Sequence, residues 1–264
     1  MAKTSRIDFT FLSLVCGLVS MGVIMSFSTS SVVGLSAYQD SYYFIKKHMA
    51  YLFIGMIFLG VGIVIPHKLY KKMVLPGSML AIGCLAVTLI PGIGGSVGGA
   101  DRWLDLGIIR FQPVEVVKFF LAVFLATSLE HKKNTLDQFS KGMMPILIFV
   151  AIPILFLAMQ PDLGNIILIL GVAFMVMFIS EIRLLHIGLC MVMGLVTIII
   201  NLAVYPYQWL RIKTFLSPWE DPLGRSYHII QSFIAIGSGG LYGLGLGQSK
   251  LKYFYLPLHY SDFI

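Results

Sequence analysis

Long apolar runs alternate with short polar stretches over most of the chain. A transmembrane helix needs about 20 mostly apolar residues, and seven stretches approach or reach that length. The fourth and fifth are short and carry a polar residue near one end, which is typical of helices that line a cavity. We predict spans near residues 9–29, 47–66, 73–91, 114–130, 143–159, 163–181 and 184–205.

Basic residues in the short connections predict the orientation of these spans, because cytoplasmic loops are enriched in Lys and Arg. One side collects nine of them, namely Lys3, Arg6, Lys68, Lys71, Lys72, Lys132, Lys133, Lys141 and Arg183. The other side has four, namely Lys46, Lys47, Arg102 and Arg110. The N-terminus is therefore predicted to be cytoplasmic.

An odd number of spans places residues 206–264 outside the membrane, as an extracytoplasmic loop. Within it, "SYHIIQSFIAIG" predicts an amphipathic helix at the membrane interface. The glycine-rich stretch 237–247 is expected to end that helix. Its spacing fits neither nucleotide-binding glycine motif, which favours tight packing or a re-entrant turn over a phosphate-binding loop, although its backbone N–H groups would suit a diphosphate.

Composition supports an all-α polytopic membrane protein. The chain has 58% hydrophobic and only 12% charged residues, whereas soluble domains carry roughly 25% charged residues. In a membrane protein the net charge of +7 serves topology and contacts with anionic lipids, and nucleic-acid binding is not expected. The sequence has no CxxC and no HExxH motif, so a disulfide, a metal site of cysteine ligands and a zinc hydrolase are not expected.

Polar residues inside or beside membrane spans are costly and commonly functional. One group lies in "GGADRWLDLGIIRFQPVEVVK", residues 98–118. Gly98 and Gly99 predict a tight loop, and Pro113 suits a helix start. Arg102 and Trp103 place a cation beside an aromatic ring. Glu115 and Lys118 are three residues apart at a predicted helix start, so they share one helix face. They form either a structural ion pair or the wall of a cavity.

Two further groups combine charge with helix-start or turn signals. Asp162 in "QPDLGN" lies near the start of the sixth span, where it acts as a helix N-cap, as a functional carboxylate, or as both. Arg211 and Lys213 precede "SPWEDPLG" and have the chemistry to hold an anionic headgroup such as a diphosphate. Lys213 is alternatively a solvated charge. Trp219 suits an interfacial anchor, and the acidic residues beside it suit a turn.

The fourth group is "YLPLHYSDFI", residues 255–264, in which Asp262 is surrounded by aromatic and aliphatic residues. Desolvation raises the pKa of a carboxyl group unless a cation offsets it. A carboxylate in this setting suits a general base.

These stretches together resemble the SEDS family (shape, elongation, division and sporulation) of RodA and FtsW cell-wall polymerases. The matching motifs are "GGADRWLDLG…QPVEVVK", "QPDLGN" and "PWEDPLGRSYHIIQSFIAIGSGGLYGLGLGQSKLKYFYLP…SDFI", in the family's order. "SPWEDPLG" and "GLGLGQSK" are more similar to the FtsW branch. The family has about ten transmembrane helices, so the resemblance implies a single SEDS-type domain over residues 1–264 that is incomplete at its C-terminal end.

The resemblance also implies the chemistry. Such proteins polymerise lipid II, a disaccharide-pentapeptide on undecaprenyl diphosphate, at the outer face of the bacterial cytoplasmic membrane. Asp262 takes the position of the family's catalytic Asp, as base or as ligand of a divalent cation such as Mg²⁺ or Mn²⁺. Candidate residues for binding the substrate are Arg102, Trp103, Glu115, Lys118, Asp162, Arg211 and Lys213. A class B penicillin-binding transpeptidase and other divisome or elongasome membrane proteins are the implied partners.

The motif around Asp262 departs from the family pattern "L-P-E-x-H-T-D". Leu258 stands for Glu, Tyr260 for His and Ser261 for Thr. The loss of a charge at position 258 changes the environment of Asp262. Two alternatives to a polymerase therefore stay open: a lipid II flippase, and a non-catalytic scaffold that recruits a transpeptidase.

Overall fold

The computed structural model describes residues 8–90, 92, 94–97, 100–105, 110–180, 182–245 and 247–249. Helices dominate these ranges, and three short strands interrupt them. The helices are α1 Phe9–Tyr38, α2 Tyr43–Val64, α3 His67–Val87, α4 Pro113–His131, α5 Met144–Met159, α6 Leu163–Ile179, α7 Leu184–Val204, α8 Pro206–Leu216 and α9 Tyr227–Gly239. The strands are β1 Gly94–Val97, β2 Ala100–Asp105 and β3 Arg110–Phe111.

All seven predicted spans are helical, which confirms the all-α prediction. In the described part of the chain, α1, α2, α3, α7 and the helical segment Phe139–Met159 are long and apolar enough to cross a membrane. The apolar α6 is shorter, and α4 carries Glu115, Lys118 and Glu130. The first helix runs nine residues past its predicted end at residue 29, to Tyr38.

The described residues fall into two compact units, with boundaries at Val64/Ile65 and Leu210/Arg211. In the unit formed by residues 65–210, one face of α4 is at the centre of the core. Its buried residues recur every three or four positions, as expected for a helix that buries one stripe. They are Val114, Val117, Leu121, Leu125 and Leu129, and α3, α5 and α6 pack around them.

A small antiparallel sheet connects α3 to α4, where the sequence had predicted only a tight loop. Strand β2 pairs with β1 through Val97 and Ala100, and with β3 through Asp105 and Arg110. The predicted turn residues Gly98 and Gly99 lie outside the described residues. The sheet sets Arg102 and Trp103 on its middle strand.

The predicted amphipathic helix in the C-terminal stretch is present as α9, and it ends at Gly239. Beyond it the backbone takes positive φ at Gly240, Gly243, Gly245 and Gly247, a region that residues with a Cβ rarely occupy. The glycine-rich stretch therefore ends the helix, as its composition predicted.

A tight connection between α4 and α5 yields a stability prediction. Gly142 lies in the π-helical turn Phe139–Met143, and a Cβ built on it would lie 2.3 Å from the carbonyl oxygen of Thr135. Because that atom belongs to the backbone, it cannot move aside cheaply. We expect Gly142→Ala to lower the free energy of unfolding by about 1–3 kcal/mol, measured as loss of thermal stability in detergent.

Gly83→Ala is the matched control, since a Cβ on Gly83, within α3, would meet nothing within 4 Å. There the change should be neutral or stabilising by up to about 1 kcal/mol, because Ala favours a helix interior over Gly. Equal effects at the two glycines would contradict the packing argument.

Candidate functional site: the turn between α5 and α6

Arg102 on β2 reaches the turn between α5 and α6. Its Nη2 donates a hydrogen bond to the carbonyl oxygen of Pro161 at 2.7 Å. Its Nε lies 3.5 Å from the carbonyl oxygen of Gln160 and 3.6 Å from Oδ2 of Asp162. One side chain thus joins residues about 60 positions apart and holds the motif "QPDLGN" against the sheet.

Gln160 connects the same turn to the end of α3. The residue is buried, and its Nε2 donates to Oγ1 of Thr88 at 2.6 Å and to the carbonyl oxygen of Leu85 at 3.2 Å. Thr88, fully buried, donates in turn to Leu85 at 2.8 Å. Buried polar groups need such partners, since an unsatisfied one costs about 1–3 kcal/mol. Gln160 and Thr88 are uncharged, so the sequence alone did not predict this link.

Asp162 takes the predicted role of a helix cap, and it is in addition the charge partner of Arg102, which the sequence did not predict. It is the N-cap of α6 and accepts from the backbone N–H of Asn165 at 3.4 Å and from its Nδ2 at 2.8 Å. Its carboxylate is buried and faces Arg102, whose side chain is 26% exposed. The pair therefore combines helix capping with charge compensation for a partly buried guanidinium.

Glu115 and Lys118 pair with each other at the start of α4. Lys118 Nζ donates to Glu115 Oε1 at 2.7 Å, with the lysine side chain 22% and the glutamate side chain 58% exposed. Pro113 occupies the first turn of α4, as predicted. Among the described residues, no hydrogen bond or ion pair joins this pair to Arg102.

The predicted headgroup-binding cations lie in the other compact unit. Lys213 on α8 pairs with Glu220 at 3.1 Å, both about 60% exposed. Arg211 on the same helix also has an interaction partner. Asp221 accepts from the N–H of Arg225 at 3.1 Å, which confirms its predicted role in the turn.

The predicted base Asp262 lies outside the described residues. Over the residues that the structure does describe, no three His, Cys, Asp or Glu side chains are placed to share a metal ion. The carboxylates of Asp162 and Glu115 are already engaged with cations, so this part of the chain does not fit the expected divalent cation.

The helices and the buried polar turn define a polytopic, all-α membrane protein. A family model described as "Cell cycle protein" (FtsW, RodA and SpoVE) matches residues 9–264. The chain belongs to this family, and the resemblance read from the motifs is confirmed.

Individual relatives agree with that assignment. The chain is 35% identical over 267 residues to "Probable peptidoglycan glycosyltransferase FtsW" of Geobacter sp. (strain M18), covering 100% of this chain and 72% of that protein. It is 34% identical to "Stage V sporulation protein E" of Bacillus subtilis (strain 168), covering 99% and 71% of the two chains.

Solved structures show the same fold. One, described as "Structural coordination of polymerization and crosslinking by a peptidoglycan synthase complex", has a TM-score of 0.60 and 27% identity over 84% of this chain. The chain spans 65% of the length of that structure. A mutant of Thermus thermophilus rod shape determining protein RodA, at 20% identity and a TM-score of 0.52, shares the fold over 70% of this chain and 58% of its own.

Two substitutions at Asp162 separate its capping role from its charge. Asparagine caps helices as well as aspartate does, so Asp162→Asn should keep the cap at the N–H of Asn165. It should lose the charge that faces Arg102 and the acceptor for Nδ2 of Asn165. Asp162→Ala loses the cap as well and should be less stable than Asp162→Asn by about 1 kcal/mol. Thermal unfolding in detergent measures the difference, and equal stability of the two variants would show that the cap contributes nothing.

Proposed function

We propose that this chain is a lipid II polymerase, which makes peptidoglycan glycan strands at the outer face of the bacterial cytoplasmic membrane. The observation that carries the proposal is the similarity to proteins named peptidoglycan glycosyltransferase over 100% of this chain. The family match extends to residue 264, so it includes Asp262 and its neighbours. A flippase or a scaffold has no comparable support.

In the proposed reaction Asp262 acts as general base. It takes the proton from the 4-hydroxyl of the acceptor GlcNAc, and the hydroxyl oxygen forms a bond to the anomeric carbon of the donor sugar. The bond from that carbon to the diphosphate oxygen breaks, with inversion, and the lipid diphosphate leaves with the electron pair. General base catalysis of this kind contributes about 10²–10⁴-fold to the rate.

Cations stabilise the diphosphate as it leaves. Lys118 and Lys213 suit this role because their carboxylate partners are 58% and 60% exposed. Ion pairs in such settings are worth about 0–1 kcal/mol, so a diphosphate replaces the carboxylate at little cost. Arg102 is tied to two carbonyl groups and to a buried carboxylate, so we assign it to positioning the turn rather than to the leaving group.

The proposed setting follows from the same family membership. The N-terminus faces the cytoplasm, in agreement with the distribution of Lys and Arg, and the site faces outward. The chain works beside a class B penicillin-binding transpeptidase that crosslinks the strands. The solved relative described as acting in polymerization and crosslinking within a peptidoglycan synthase complex supports this pairing.

The direct test is glycan formation from purified lipid II by the protein expressed from the complete gene, together with a class B transpeptidase. The wild type should form polymer, and Asp262→Ala should reduce the rate by about 10²-fold or more. Gel separation of labelled glycan strands measures both.

Asp137→Asn is the control, since Asp137 is an exposed carboxylate paired with Arg183 on the predicted cytoplasmic side. It should keep wild-type activity. Equal polymer from Asp262→Ala and the wild type would remove Asp262 from the chemistry. Absence of polymer from the folded wild type, with an active transpeptidase present, would leave the flippase or the scaffold.

A charge exchange tests whether Lys118 contacts substrate. The double variant Glu115→Lys with Lys118→Glu preserves an ion pair between adjacent turns of α4. Because the pair is partly exposed, stability should change by at most about 1 kcal/mol. If the lysine ammonium stabilises the diphosphate, polymerisation should still fall at least tenfold. Wild-type activity in the exchanged variant would show that the pair has only a structural role.

A further inference from the structure

A cavity between α1 and α2 is not used by the proposed reaction. Its volume is about 230 Å³, and seven residues line it. Five of them carry hydrogen-bond donors, namely Ser26, Ser30, Lys47, His48 and Tyr51. No carboxylate is among the lining residues. Several donors and a cation, with no carboxylate beside them, favour an anion as the ligand.

The serine hydroxyls in this cavity have no partner in the described part of the chain. Elsewhere on α1, the hydroxyls of Ser20 and Thr29 donate to carbonyl oxygens about one turn earlier, at 2.9 and 3.1 Å. The hydroxyls of Ser26 and Ser30 make no such bond among the described residues, and Ser30 is only 5% exposed. Close helix packing explains why small residues occur there, but it does not explain their hydroxyl groups. A ligand in the cavity would accept hydrogen bonds from these hydroxyls.

The positive charge of the cavity comes from Lys47. Its Nζ donates to Oη of Tyr43 at 2.8 Å and lies 4.6 Å from the centre of that ring. The neighbouring Lys46 is already paired with Asp40 at 2.7 Å. That hydrogen bond, with a second from the N–H of Tyr42, lowers the pKa of Asp40, which therefore stays ionised and paired. Lys47 has no carboxylate partner among the described residues.

Aromatic residues near this cavity favour a position at the level of lipid headgroups. The rings of Tyr38 and Tyr43 stack at 3.7 Å, and those of Phe27 and Tyr42 stack at 5.5 Å. Tyrosines cluster in this way at membrane–water interfaces. Phosphate is the anion that lipids present at that depth, and its oxygens accept several hydrogen bonds at once.

We propose that the cavity between α1 and α2 binds a phosphate anion through Lys47, Ser26, Ser30 and His48, separately from the glycan-forming site. Two sources share this chemistry: the headgroup of an anionic phospholipid, and a soluble phosphate ligand. The site stands independently of the proposed polymerase function, because none of its residues belongs to that reaction.

The test uses the purified, delipidated protein and native mass spectrometry with dioleoylphosphatidylglycerol. The phosphatidylcholine with the same acyl chains serves as a comparison lipid of zero net charge. The wild type should retain the anionic lipid at least fivefold more than the zwitterionic lipid. Lys47→Ala should remove most of that preference. Because Lys47 is exposed, the substitution should not unfold the protein, and circular dichroism verifies that the variant is folded. A loss of lipid preference then reports on binding.

Lys72→Ala is the matched control, because it removes one exposed positive charge from α3, outside the cavity. Its lipid preference should stay within twofold of the wild type. Ser30→Ala, which removes the hydroxyl and adds no atom, should weaken binding at least threefold. Equal losses from Lys47→Ala and Lys72→Ala would overturn the site, since general attraction between charges would then explain the binding.

A second arm separates the two sources of phosphate. Inorganic phosphate at millimolar concentration is added to the delipidated protein, and thermal stability is followed. Stabilisation of the wild type but not of Lys47→Ala assigns the site to a soluble phosphate ligand. A Lys47-dependent response to the lipid alone assigns it to a headgroup. A response to neither probe would overturn the proposal.

Discussion

The contact between Arg102 and the turn joining α5 to α6 organises the polar end of the larger core. The guanidinium compensates the buried charge of Asp162 and satisfies the carbonyl groups of the turn. Gln160 then ties the turn to the end of α3. Removal of the arginine would leave a buried carboxylate without its cation, which costs several kcal/mol in a medium of low polarity. Arg102 and Gln160 together thus join the sheet and α3 to the turn between α5 and α6.

Charge pairing also occurs at two other candidate substrate-binding cations, but with different consequences. Lys118 and Lys213 each have an exposed acidic partner, so their charges are compensated in the absence of substrate and can still be exchanged. Arg102 is enclosed by backbone carbonyls and a buried acid and is fixed in place. A cation lies beside a carboxylate in all three cases. At Lys118 and Lys213 a ligand can replace the carboxylate, whereas Arg102 is held rigidly. Exposure of the carboxylate decides between them.

Local patterns predicted much of this molecule. Hydropathy located seven helices, and the spacing of three residues predicted the Glu115–Lys118 pair. The sheet was not predicted, because its first strand contains two glycines and lacks the alternation of a half-buried strand. The pairing of Arg102 with Asp162 joins residues 60 positions apart, which no local spacing reveals. The role of Gln160 was not predicted, because an uncharged amide becomes structurally important only when it is buried, and the sequence does not show its burial. The catalytic role of Asp262 was predicted from the family motif that surrounds it.

The length of α1 exceeds the thickness of the hydrocarbon core of a bilayer. At about 1.5 Å per residue, the 30 residues of α1 extend about 45 Å, whereas the hydrocarbon core of a bilayer measures about 30 Å. An ordinary tilt of about 20° removes only a few of the excess ångströms. The neighbouring α2, with 22 residues, matches the core thickness closely. The two helices therefore differ in hydrophobic mismatch, and a change in membrane thickness would act on the turn at residues 39–42 that joins them.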